Sequence, residues 1–254
     1  SRVMIDPAGE HQLLYLANAD WAAEMQIKGQ ALWSHLNLVA GVRKVNGSST
    51  LRLREQDELQ RLLYPPQATN APATPGLKDF LGVAYRFHPE AIPLGGLRIS
   101  RRPLVAAGVP PEFRASADTL NAVIADDFDP RRVVCLPLEA HGAVPTNTAL
   151  ARVVSQRFGT HEVSAEIEAD APTRVTVAQS FYHPWKAFVD DQPVKLWRAN
   201  YAFQALAVPA GKHTVRLVYV DEKFRLGVGI SLAGLAVCGF LWWRGGRIPV
   251  GDDV

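Results

Sequence analysis

Seven histidines, His11, His35, His88, His141, His161, His183 and His213, are the side chains best suited to hold a metal or move a proton near neutral pH. None is paired four residues apart on one helix face or flanked by the carboxylates that complete a zinc site, so no metal site is expected. Asp126, Asp127 and Asp129 crowd together like calcium ligands. The central glycine and distal glutamate of a calcium loop are missing, which leaves a solvated helix end. Gly211-Lys212-His213-Thr214 faintly resembles a phosphate loop, yet it lacks the upstream glycine and strand-like runs flank it, so it reads as a hairpin turn. No serine sits in a Gly-x-Ser-x-Gly elbow, and neither Cys135 nor Cys238 has a base partner in sequence. The adjacent acids Asp190 and Asp191 precede Gln192-Pro193, as turn residues do. The chain alone therefore shows no catalytic residues and calls for no cofactor.

Aromatic side chains offer a different chemistry. Tyr182, Trp185, Trp197, Tyr201 and Phe203 fall within one short stretch, and aromatic faces stack on sugar rings. The same residues also suit core packing and anchoring at a membrane interface. Tyr182, Trp185, Trp197 and Tyr201 are the candidate glycan contacts, with Tyr182 and Tyr201 the best placed for partial exposure.

These aromatics need elements to hold them. From Glu162 to Val220 the pattern has period two: Val163, Ala165, Ile167 and Ala169 alternate with Ser164, Glu166 and Glu168. Further short runs begin at Val175, Trp185, Val194, Phe203 and Val215, separated by Ala171-Pro172-Thr173, Asp190 to Pro193 and Pro209-Ala210-Gly211-Lys212. Six strands with tight turns predict a small antiparallel β-sandwich. Leu226 to Trp243 then reads LGVGISLAGLAVCGFLWW, without a charge. At 1.5 Å per residue this run is roughly 27 Å of helix, close to a hydrocarbon core of about 30 Å. Trp242, Trp243, Arg244 and Arg247 suit its cytoplasmic end, although Lys223 and Arg225 make the other flank basic too. Gly227, Ser231, Gly234 and Cys238 form a stripe of small residues suited to helix packing in lipid. A buried core helix of a soluble protein is the alternative. Four glycines in the run argue against it, since each costs a soluble helix up to about 1 kcal/mol.

Earlier in the chain, helices are predicted from Leu53 to Leu63 and from Ala117 to Ala125, the second capped by Ser116. Val133 to Leu136 reads as a buried strand, and PPQATNAPATP from Pro65 to Pro75 as a loop. A net charge of +2 from 27 basic and 25 acidic residues gives no nucleic-acid footprint.

The run Phe181-Tyr182-His183-Pro184-Trp185-Lys186-Ala187-Phe188-Val189-Asp190, then Arg198-Ala199-Asn200-Tyr201-Ala202-Phe203, then Val208-Pro209-Ala210-Gly211-Lys212-His213, resembles the tail of YfhO-type bacterial membrane proteins. Lys186 follows the tryptophan without a glycine before it, and Asp191 stands where such tails usually place a turn glycine. His35 to Val42, with Val45-Asn46-Gly47 after it, and Phe80 to Tyr85 are similar to earlier segments of the family. The resemblance implies a polytopic protein similar to glycosyltransferases that use a polyprenyl-phosphate sugar, with the catalytic acids on loops upstream of Ser1.

The expected fold is α+β: a mixed α/β extracytoplasmic region over 1–155, a β-sandwich module over 156–222, and a transmembrane helix with a short cytoplasmic tail over 223–254. The expected role is an accessory outer domain at the cell membrane that contacts a glycan acceptor or lipid-linked sugar. Its expected partners are membrane lipid, upstream transmembrane helices and a polyprenyl-phosphate sugar or cell-envelope glycan, with no nucleic acid. The alternative is a membrane-anchored, non-catalytic carbohydrate-binding sandwich.

Overall fold

A computed structural model describes residues 2–5, 7–15, 20–45, 53–63, 74–87, 104–147 and 149–245. Its first elements are β1 (Arg2–Ile5), α1 (Pro7–Leu14), α2 (Trp21–Gln30), α3 (Leu36–Val39), α4 (Arg54–Leu63), α5 (Pro75–Phe80) and β2 (Val83–Phe87). There follow β3 (Val105–Ala107), β4 (Pro111–Arg114), α6 (Ser116–Ile124), β5 (Val134–Pro137), β6 (Ala151–Phe158), β7 (Glu162–Ala169) and β8 (Thr173–Val177). The last described elements are β9 (Trp185–Val189), β10 (Gln192–Val194), β11 (Trp197–Ala199), β12 (Phe203–Val208), β13 (Gly211–Tyr219) and α7 (Glu222–Gly245). Asn46-Gly47, most of the Pro65 to Pro75 loop, His88 and Arg247 lie outside the described residues.

The period-two alternation builds the larger sheet. Val163, Ala165, Ile167 and Ala169 of β7 are buried, as are alternate residues of β9 (Trp185, Ala187, Val189) and of β13 (Val215, Leu217). The sheet runs β10-β9-β13-β7-β6, with all its pairings antiparallel. A smaller sheet, β11-β12-β8-β3, packs Val105, Val175, Val177, Leu206 and Val208 against that face and completes the sandwich. Each buried aliphatic side chain is worth about 1.5–3 kcal/mol of transfer free energy, so this interior is the main source of the module's stability.

The topology departs from the sequence reading in two places. The fourth strand, expected from Val194 to Trp197, is divided: β10 joins the large sheet and β11 the small one, and Lys195-Leu196 carries the chain between them. Pro209 to Lys212 is not a hairpin turn either, because β12 pairs with β8 and β11 whereas β13 pairs with β7 and β9. The segment is an arch between sheets, with Gly211 at φ 117°, a region that favours glycine. Asp190-Asp191 does form a two-residue hairpin: Val189 pairs with Gln192, and both aspartates have positive φ, as a type I′ turn requires. In addition, β3 and the start of β6 are drawn into the sandwich from before residue 156.

The small sheet is covered on its outer face as well, which is why β8 is buried along its whole length. Here β4 and β5 run parallel and are connected through α6 in a βαβ unit. Trp197, Ala199 and Ala205 pack on Val134, Leu136 and Val144, while Tyr201, Ala202 and Phe203 pack on Leu59 and Leu63 of α4, Leu77 and Phe80 of α5, and Val123 of α6. Gly76 lets α5 approach closely: a Cβ there would lie 1.7 Å from the Phe128 carbonyl oxygen. Ser116 is not the cap of α6. Ala115 holds that position with no side-chain hydrogen bond, and Ser116 lies in the first turn.

Helix α7 leaves the body entirely. All 24 residues are exposed, and its most apolar stretch has a mean hydropathy of 1.8, so it is not a buried core helix. Its length, about 36 Å at 1.5 Å per residue, exceeds a hydrocarbon core of about 30 Å. The Asp221 carboxylate caps it by accepting from the Phe224 amide at 2.9 Å.

Candidate functional site

A cleft of about 580 Å³ opens where the carboxyl ends of β4 and β5 meet the start of β11. Parallel strands point their last residues toward the first turns of the following helix, and ligands of open α/β units gather at such ends. Arg114 ends β4, and Ser116 and Thr119 come from the first turns of α6. Leu136 to Glu139 follow from β5. The third wall is Phe181 with Lys195, Trp197, Arg198 and Tyr201. The lining thus combines three aromatic rings with three cations, one acid and two aliphatic hydroxyls.

Hydrogen bonds from α4 fix the aromatic wall. Glu55 pairs with Arg198, Gln56 accepts from the Ser180 hydroxyl at 3.0 Å, and Glu58 accepts from the Tyr201 hydroxyl. Burial works to raise the Glu55 carboxyl, but the Arg198 hydrogen bond, aided by backbone and arginine charge, holds it below the usual carboxylate range. Burial, with the Glu58 bond adding, pushes the Tyr201 phenol up to about 12, so it stays a neutral donor. Lys195 Nζ stands 3.7 Å from the Trp197 ring centroid, and the Arg198 guanidinium lies 5.1 Å from that of Phe181.

Asn200 is the strut beneath this wall. It is 1% exposed at φ 44°; its side-chain oxygen accepts from the Cys135 amide at 2.9 Å, and its own amide donates to the Cys135 carbonyl at 2.8 Å. The side chain thereby imitates a strand edge and locks the β11–β12 turn to β5. Asparagine tolerates left-handed backbone better than most residues and supplies the acceptor. Burial pushes the Cys135 thiol up to about 11, so it is a packing group rather than a nucleophile.

The four candidate glycan contacts divide between two cavities. Trp197 and Tyr201 line the cleft, although both are largely buried. Tyr182 and Trp185 line a neighbouring hollow of about 380 Å³ that shares Phe181 and Leu196 with it. Tyr182 also stacks on Tyr219 at 6.3 Å, and Trp185 meets Tyr219 edge-on at 5.5 Å. Phe203 turns away, packing on Phe80 at 4.9 Å. Gly227, Ser231, Gly234 and Cys238 all lie exposed on α7, and a Cβ added at Gly227 or Gly234 meets nothing within 4 Å. Sequence reasoning missed Arg114, Thr119, Lys195 and Arg198, because two segments some eighty residues apart bring them together.

Two further sites are structural. Arg174, 1% exposed, donates to the carbonyls of Gly108 at 2.8 Å, Pro145 at 2.7 Å and Asn147 at 2.8 Å, and also to Val109. It clamps the loop after β3 and the one before β6 onto β8. His213 Nδ1 meets Asp190 at 2.5 Å, which draws the imidazole up and the carboxyl down from their ordinary values.

Comparison with curated proteins and with solved structures gives no match. Residues 160–231, from the tip of the β6–β7 hairpin to the first turns of α7, match the family model described as bacterial membrane protein YfhO, and this segment is a YfhO-family domain in a membrane protein.

Proposed function

We propose that the chain is an extracytoplasmic accessory domain of a polytopic, glycosyltransferase-like membrane protein, and that its cleft holds a glycan acceptor or the sugar of a lipid-linked donor. The observation that carries this reading is the cleft's lining: the rings of Phe181, Trp197 and Tyr201 stand beside Arg114, Arg198, Ser116 and Thr119. Sugars present apolar C–H faces and hydroxyl edges, and such a wall offers rings for the first and the arginine guanidiniums and the Ser116 hydroxyl for the second, the Thr119 hydroxyl being bonded to the Ala115 carbonyl. Lys195 would swing off the Trp197 face as a ring stacked there. Catalytic acids would be supplied by other parts of the larger protein.

A second reading is a membrane-anchored module that binds carbohydrate without any transferase. It is favoured by α7, which is exposed along its whole length and is long and apolar enough to serve as an anchor by itself.

The test is calorimetric titration of the micelle-solubilised chain with cell-envelope oligosaccharides and with a short-chain polyprenyl-phosphate sugar. Binding should weaken at least tenfold in Trp197→Ala and in Arg198→Gln. Binding unchanged in both variants, or absent for every sugar, refutes the site. Glycosyl transfer by the isolated chain would refute the accessory role.

A further inference from the structure

The pole of the sandwich from which α7 departs carries features that the cleft does not use. At the end of β13, Tyr219 donates its amide to the His161 carbonyl at 2.8 Å and Val220 donates to that of Pro184 at 3.0 Å. The β6–β7 hairpin tip and the Tyr182-His183-Pro184 turn therefore lie at the root of α7. The segment following α3 joins them: Arg43 donates to the Phe158 carbonyl at 2.7 Å, and Leu38 shares a hollow with Gly159 and Thr160. Leu38 is 70% and Val39 88% exposed, on the flank of this pole.

The distance to lipid follows from the chain. Asp221 caps α7, and the uncharged run begins five residues later at Leu226. At 1.5 Å per residue that is roughly 7–8 Å, about the depth of one headgroup layer, given a hydrocarbon core of about 30 Å within about 40–45 Å overall. The pole thus meets the headgroups when α7 spans the bilayer. Its surface has the matching chemistry. The stacked Tyr182–Tyr219 pair is an amphipathic aromatic group of the kind enriched at that depth. The exposed cations Arg43, Arg157, Lys186, Lys223 and Arg225 outnumber the acids Glu162, Asp221 and Glu222.

We propose that this pole is a second membrane contact, independent of α7: Leu38 and Val39 dip into the bilayer interface beside the helix, Tyr182 and Tyr219 sit among the headgroups, and the basic side chains engage anionic lipid. Two attachments, a helix and a surface, fix the tilt of the sandwich and hold its cleft at a set height above the bilayer. The contact does not depend on what the cleft binds.

The experiment places a fluorophore at residue 39 of the full chain, using Val39→Cys in a Cys238→Ser background. Buried Cys135 is not labelled, as a control without the new cysteine verifies. The labelled protein is reconstituted in vesicles of phosphatidylcholine alone or with about 30% phosphatidylglycerol, and quenching by a nitroxide-bearing lipid is compared with quenching by aqueous iodide. A Phe224→Cys label marks the root of α7, and an Asp170→Cys label marks the opposite pole. We expect lipid quenching at residue 39 at least threefold above that at residue 170 and close to that at 224, rising with phosphatidylglycerol. Equal lipid quenching at 39 and 170 overturns the proposal, as does protection of residue 39 from both quenchers, which would assign the surface to another protein segment. Quenching at 39 that ignores phosphatidylglycerol overturns the electrostatic part. Because each labelled protein differs from the shared Cys238→Ser background at one residue only, a circular dichroism spectrum matched to that background separates a misfolded variant from a failed contact.

Discussion

Replacing Asn200 by alanine should be among the most damaging single changes in the YfhO-family segment, through two separable causes. The first is the Cys135 amide, buried at a residue only 1% exposed, which would lose its acceptor. An unsatisfied buried donor costs about 1–3 kcal/mol. The second is the backbone: at φ 44° an alanine bears the left-handed penalty of about 1–2 kcal/mol that asparagine partly escapes. Together they give about 3 kcal/mol. At about 2–4 °C per kcal/mol for a protein of this size, Tm should fall by roughly 6–12 °C. Asn200→Gly keeps the permissive backbone and loses only the acceptor, so its loss should be about 2 kcal/mol. The assay is heat denaturation in detergent micelles, followed by tryptophan fluorescence, with Trp197 three residues away as a local reporter. Alanine and glycine variants melting together would remove the backbone cause. A loss below about 0.5 kcal/mol in both would refute the strut altogether.

Two further outcomes are expected. Arg174→Met should destabilise the chain by about 3–5 kcal/mol, because carbonyls of two loops lose a shared buried donor, and limited proteolysis should then cut first near Gly108 or Pro145. The His213–Asp190 pair should give a pH-dependent Tm. A histidine raised in the fold contributes stability that is fully present below its unfolded value of about 6.5 and is lost as pH rises through the folded value. Asp190, lowered in the fold, contributes above the ordinary carboxylate range and loses its contribution as pH falls through the depressed value. Tm should therefore decline as pH rises above about 6.5 and through the raised folded value, and His213→Gln should flatten that decline; identical slopes would show that the pair contributes nothing.

The residues of the sandwich were legible where burial is one-sided. In β7 each inward position alternates with a polar one, so period two identified both the strand and its buried face. It failed where the same alternation serves two sheets. Val194 to Trp197 reads as one continuous strand and Pro209 to Lys212 as a hairpin turn, and nothing local says that either segment carries the chain to the opposite sheet. β3 was illegible for a related reason: Val105 to Ala107 is three small apolar residues with no alternation, and only pairing with β8 makes it a strand. The tail motif held chemical information that periodicity did not. Asn200 is a polar residue in an apolar stretch, and its place is explained only by the Cys135 backbone more than sixty residues earlier.

The same separation explains why the cleft was only half visible. Aromatic residues within one stretch drew attention to Trp197 and Tyr201, but their use depends on what faces them. Arg114, Ser116 and Thr119 arrive because β4 and β5 are parallel and α6 starts beside their carboxyl ends, a relation that needs the βαβ unit and cannot be read from either strand alone. Conversely, Tyr182 and Trp185 look equivalent to Trp197 in sequence, yet β9 belongs to the sheet that continues into α7 and β11 to the sheet facing the N-terminal layer. The crossing at Lys195-Leu196 therefore divides one aromatic cluster into two environments: a pair of rings at the root of an apolar helix, and a pair lining a cleft, with Tyr201 bonded to α4 and Trp197 packed on β5. A substitution series should respect that division, with changes at Trp197 and Arg198 acting on what the cleft binds and changes at Tyr182 and Tyr219 acting on how the domain meets the membrane.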